Sequence, residues 1–139
     1  MKSIVVGLLL VSFLLGTLGL AQAAEGTVGC SLYYASRLDG AEITYTNISF
    51  RNLASKGTIT IEKVDIYQSD GTLAAGLASG KYPSGFRGSL GPRQYTSLRL
   101  TDVLKAPPAV PGLQAIVSWT TDSAGVSPMV TSVFLTFGR

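Results

Sequence analysis

A chain of 139 residues with no histidine lacks the commonest general base near neutral pH and the commonest zinc ligand. Serine nucleophiles activated by histidine, and metal centres built on it, are excluded. Cys30 is the single cysteine, too few for an internal disulfide. Eight carboxylates remain: Glu25, Asp39, Glu42, Glu62, Asp65, Asp70, Asp102 and Asp122. A glycosidase needs two such groups facing each other across a cleft. Asp39, Asp70 and Asp122 stand in turn sequences, where a carboxylate hydrogen-bonds the local backbone. Glu62 and Asp65 have opposite parity in one strand-like run, and Ser69-Asp70-Gly71 lacks the alternating acids of a calcium loop. The expectation is no catalytic residue, no metal site and no cofactor. A small secreted enzyme working through carboxylates is the least supported reading.

The residues that could recognise a ligand are Lys81, Tyr82, Phe86, Arg87, Arg93 and Tyr95, all in or beside a loop rich in Gly and Pro that runs from Gly80 to Pro92. Aromatic rings stack on sugars or apolar groups, and arginine forks pair with anions. The simpler reading is that Tyr82 and Phe86 pin the loop to the core while the cations stay in water. Tyr33, Tyr34 and Tyr45 form a second aromatic group that core or interface packing explains equally well.

These residues need a scaffold, and the chain's start says where it folds. Lys2 precedes an apolar run from Ile4 to Leu20, and Ala21-Gln22-Ala23 is a small-x-small cleavage pattern. Residues 1–23 read as a signal peptide of bacterial style, and 24–139 as one domain, exported to the periplasm or the extracellular space. Thr27-Val28-Gly29-Cys30 loosely matches a lipidation signal, but Thr27 stands where Leu is usual and Cys30 lies well beyond the apolar run; a small buried or half-buried thiol in a first strand is the plainer reading. No second run reaches the roughly 20 apolar residues that cross a bilayer. Removing Lys2 lowers the net charge from +3 to +2, an excess too thin and too scattered for nucleic acid.

The rest of the chain alternates strand patterns with Gly, Pro, Asn and Asp. Strands are expected over Val28 to Ala35, Glu42 to Leu53, Thr58 to Tyr67, Leu73 to Leu77, Gln94 to Leu100, Leu113 to Thr120 and Met129 to Phe137. Asp39-Gly40 and Asp70-Gly71 supply the positive φ of tight turns. The second strand changes phase, with Ile43 and Tyr45 against Ile48 and Phe50, which calls for cover on both faces or a bulge near Asn47. A helical turn is expected at Asp102-Val103-Leu104, and Pro107, Pro108 and Pro111 make the next segment a stiff crossing. The last strand is apolar on both parities, which predicts burial or edge pairing. About seven short strands and no sustained helical period predict an all-β, immunoglobulin-like two-sheet β-sandwich, with a small closed barrel as the alternative.

Four segments, Ile48-Ser49-Phe50-Arg51-Asn52, Ile59 to Gly71, Leu90-Gly91-Pro92 and Ala115-Ile116-Val117-Ser118-Trp119, together resemble a family of uncharacterised exported bacterial β-sandwich domains. A shorter stretch, Pro92 to Pro111, is similar to the small sandwich of sensory rhodopsin transducers. The resemblance implies the sandwich fold and a non-enzymatic role, and carries no catalytic residue. The expected function is binding of a protein or small ligand of the cell envelope through the loops. Assembly with copies of itself, or into a larger envelope complex, through an unpaired strand edge is the competing expectation.

Overall fold

The computed structural model describes residues 23–36 and 42–138. The expected leader and the expected turn at Leu38 to Ala41, with Asp39, lie outside the described residues. The elements in chain order are β1 (Ala24–Ser36), β2 (Glu42–Arg51), β3 (Ile59–Gln68), β4 (Leu73–Ala78), β5 (Ser89–Leu90), β6 (Tyr95–Arg99), α1 (Leu100–Val103), β7 (Gly112–Thr121) and β8 (Met129–Gly138). The protein is all-β, and all the pairings are antiparallel. The strand order is β4-β3-β7-β1-β2-β6, with β5 alongside β3 and β8 alongside β2. Eight strands are present among the described residues rather than about seven. The extra one is β5, a two-residue strand inside the Gly/Pro-rich loop that is too short to leave a periodic signal. No helix among the described residues is long and apolar enough to cross a membrane.

β1 joins the two halves of this order. Ala24 to Tyr33 pair with β7, from Ala24↔Thr121 to Tyr33↔Gly112, and Tyr34 to Ser36 then pair with β2, beginning at Tyr34↔Tyr45. Both halves feed one buried cluster. Ile59, Ile61, Val64 and Ile66 of β3 and Val117 of β7 share it with Ile48 and Phe50 of β2, Leu98 of β6 and Leu100 of α1. Each such side chain removed from water contributes about 2 kcal/mol.

Side-chain phase explains how β3 serves this core from both parities. Its pairing with β7 shifts between Ile61 and Lys63. The bulge turns Ile59, Ile61, Val64 and Ile66 all inward and leaves each of them fully buried. No such shift occurs in β2, whose pairing with β8 runs unbroken from Glu42↔Gly138 to Arg51↔Met129. There the phase change is met by cover on both faces, and the neighbours Tyr45 and Thr46 are both buried.

Trp119, on the inward parity of β7, is half-buried and lies over its register partner Gly26. A Cβ at Gly26 would stand 2.7 Å from the indole Cζ2, so only glycine lets the ring lie there. The final strand departs from an expectation of burial. β8 lies at an edge, paired with β2 alone, and Met129, Val133, Phe134 and Phe137 are exposed. An apolar pattern on both parities reads the same whether a strand is covered or bare.

Candidate functional site

The loop after β4 divides the six candidate residues by role. Lys81 is exposed, and its amide closes a turn on the Ala78 carbonyl at 2.9 Å. Tyr82 turns inward. Its hydroxyl donates to the Ile61 carbonyl at 2.8 Å, beside the bulge, while the Ile61 amide donates to the Gly88 carbonyl at 2.7 Å. Burial first, and the nearby Glu62 charge second, push the Tyr82 phenol up to about 12. Phe86 follows Tyr82 inward: their centroids are 4.5 Å apart, and Phe86 meets Phe50 of the core at 5.3 Å and 87°. Tyr82 and Phe86, each partly exposed, fasten the loop to the core.

Arg87, Arg93 and Tyr95 point the other way and come together. The Arg87 amide donates to Thr96 Oγ1 at 2.9 Å, which ties the loop to β6. Pro92 and Arg93 form the centre of a turn closed by the Gln94 amide on the Gly91 carbonyl at 3.2 Å, with Gln94 Oε1 accepting from the Gly91 amide at 2.9 Å. Arg93 has φ of 60°, the only positive value at a non-glycine among the described residues. Proline followed by glycine would make this turn without strain. Arginine there costs about 1 kcal/mol and is held by its surroundings.

Tyr95 begins β6 opposite Arg51, the last residue of β2. Tyr95 is 69% exposed, so its ring is offered to solvent. Two adjoining depressions share Arg93, Gln94 and Tyr95. One, of about 500 Å³, continues past Arg87 and Ser97; the other, of about 290 Å³, ends on Arg51 and Leu53. The lining of neither contains an acidic residue. Three arginine forks around one bare tyrosine can hold carboxylates or sulfates while the ring stacks on an apolar face. Another depression, about 550 Å³ between β1, β3 and β7, has no charged lining residue.

Arg51 was not among the residues singled out from the sequence. It is 44 positions from Tyr95, and only the β2–β6 register unites them. Asn52 beside it has a structural task. Buried, it donates through Nδ2 to the carbonyls of Gly57 at 2.9 Å and Leu90 at 3.1 Å, and its Oδ1 accepts from the Ala54 amide at 3.0 Å. It ties the end of β2 to the loop carrying β5, and so holds Arg51 in place. The Arg-Asn pair that ends this strand is one functional candidate and one fastening.

The carboxylates are dispersed. Asp70 Oδ1 accepts from the Thr72 amide at 2.9 Å, a bond that holds its carboxyl below its ordinary value. Asp122 Oδ1 accepts from the amide of Thr58, far away in sequence, at 2.7 Å rather than from its own turn. Glu62 accepts from Thr120 Oγ1 at 2.8 Å, and Asp65 pairs with Lys63 at 2.7 Å. Cys30 lies half-buried in β1, and burial raises its thiol. Among the described residues no three such side chains converge as metal ligands.

Tyr34 and Tyr45 are buried edge to face, with centroids 6.4 Å apart, and the exposed Phe137 stacks on Tyr45 at 5.7 Å. The second aromatic group is thus largely packing. No protein-family model matches the chain, and no curated protein is significantly similar to it.

Proposed function

We propose that the chain is an exported, non-catalytic β-sandwich domain of bacterial type that binds an acidic polysaccharide of the cell envelope or its surroundings. The patch of Arg51, Arg87, Arg93 and Tyr95 is the binding site. The observation that carries this reading is the pair of adjoining depressions that share Arg93 and Tyr95 and have Arg87 and Arg51 at their far ends, with no acid among the lining residues. Carboxylates along a sugar chain would take the forks, and one sugar face would lie on Tyr95. The two-layer arrangement is supported by the common core of the neighbours β3 and β7 with the neighbours β2 and β6, two pairs separated by β1 in the pairing order. The apolar run ahead of Ala21-Gln22-Ala23 supports export.

Affinity electrophoresis tests the binding. Migration should be retarded in gels containing polygalacturonate and unchanged in gels containing neutral dextran. The variant Arg87→Gln/Tyr95→Ala, with an unchanged circular dichroism spectrum, should run as in plain gel. Undiminished retardation of that folded variant would remove the patch from consideration.

A further inference from the structure

We infer that β8 pairs with β8 of a second copy, antiparallel across a two-fold axis at Val133. This is independent of the ligand reading. β8 has ten residues, Met-Val-Thr-Ser-Val-Phe-Leu-Thr-Phe-Gly, with no charge and no proline. Its ladder with β2 carries no bulge, and among the described residues nothing pairs with its other side. Edge strands are normally blunted by charge, proline, irregularity or brevity. The other edges here are blunted: β4 has six residues and a register shift against β3, β6 has five and ends in Arg99, and the free side of β1 carries Glu25 and glycines 26 and 29. β8 alone is long, regular, uncharged and apolar.

The residue pattern selects a second copy as the occupant. Residues directly opposite in an antiparallel pair share a face. An axis at Val133 sets Val133 against Val133, Met129 against Phe137 and Thr131 against Leu135 on the outer face, with Ser132 against Phe134 on the other. Every one of these pairs joins uncharged side chains, and no like charges meet. Met129, Val133, Phe134 and Phe137 are 46%, 51%, 64% and 53% exposed. Pairing two ten-residue strands along this edge satisfies the backbone groups of both and covers part of that exposed apolar surface, while Phe134 keeps its contact with Tyr33 and Phe137 its stacking on Tyr45.

The test uses protein expressed from the full-length sequence and followed by size-exclusion with light scattering. A dimer is expected. Val133→Lys, which sets two ammonium groups opposite each other, should give a folded monomer. A wild-type monomer at high concentration overturns the proposal, as does a dimer that persists in folded Val133→Lys. Should that variant fail to fold, Val133→Cys in a Cys30→Ser background decides. Two cysteines facing across the axis should form an intermolecular disulfide on mild oxidation, since opposed Cβ atoms stand about 4.5–5.5 Å apart. A dimer that does not cross-link there refutes the register and the edge together.

Discussion

Arg93 shows what a single residue can reveal about a site. Its left-handed backbone is a conformation that glycine takes freely and a branched or long side chain does not. Pro92 pre-sets the first half of the turn, and Gln94 closes it from both its backbone and its side chain. The strain is therefore imposed by a well-determined turn, and a guanidinium is kept where a hydrogen atom would fit better. If the side chain is retained for binding, stability and binding should part company. Arg93→Gly is expected to raise the midpoint of urea unfolding, with a gain of about 1 kcal/mol, while retardation by polygalacturonate weakens. A loss of stability in this variant would mean that the arginine fastens its own turn. The sequence suggested Arg93 because it stands among aromatics and glycines, but the same reasoning drew in Tyr82 and Phe86. Aromatic residues in a glycine-rich loop look alike whether they face solvent or core. The contacts to Ile61 and Phe50 that separate them are made with residues tens of positions away.

At the level of elements, most of the strands were legible because alternation and Asp-Gly or Pro-Gly punctuation are local signals. β3, β7 and the β3–β4 hairpin followed from Thr-Ile-Thr-Ile, Leu-Gln-Ala-Ile-Val and Ser-Asp-Gly-Thr. The bulge at Ile61–Lys63 and the bare edge of β8 were not legible, since both depend on which strand lies alongside. The bulge and the loop are coupled. Ile61 gives its amide to Gly88 and its carbonyl to Tyr82, so the loop completes hydrogen bonds at the irregular point of the ladder. This coupling has a pH signature. The Tyr82 phenol has an ordinary value of 10.0 and is raised to about 12 by burial, with the Glu62 charge adding to it. Its stabilising effect is complete below pH 10.0, where folded and unfolded chains both keep the proton. As pH rises from 10.0 toward about 12, the unfolded chain releases the proton first, and stability falls. Tyr82→Phe cannot release a proton. Its thermal midpoint should be lower than wild type at neutral pH, for want of the Ile61 bond, and should decline less steeply through the alkaline range. Tyr34, also raised by burial and by Tyr45, remains in both proteins and supplies the residual slope. Parallel declines in the two proteins would show that the hydroxyl ionises without opposing the loop contact.

Across the whole molecule, charge is more telling in its placement than in its sum. A net charge of +3 that includes Lys2 steers little by itself. The face shared by β2, β6 and β8 is different: outward from it stand Arg51, Arg99, Tyr95, Asn47, Ser49, Ser97, Thr131 and apolar residues of β8, none of them acidic. Arg87 and Arg93 extend it at one end. Glu25, Glu62 and Asp65 belong to β1 and β3, in the other half of the strand order, while Glu42 starts β2 and Asp102 lies in α1, neither of them lining the two depressions. A polyanion would thus meet one cationic face, and the exposed forks would act through water and ions. Attraction of that kind is screened within about 30 Å at 0.01 M salt and within about 8 Å at 0.15 M. The affinity for polygalacturonate should therefore fall by about tenfold or more between those conditions, and Arg51→Gln should flatten the dependence as well as weaken binding. Stacking on Tyr95 predicts the opposite balance for its removal: Tyr95→Ala should weaken binding by a similar factor at both salt concentrations, because contact with a sugar face is short-ranged and uncharged. Titrations of wild type and the two variants at both salt concentrations separate the two contributions. Binding indifferent to salt would reject the arginines as the source of attraction, and a Tyr95→Ala variant that binds like wild type would reject the ring as a platform.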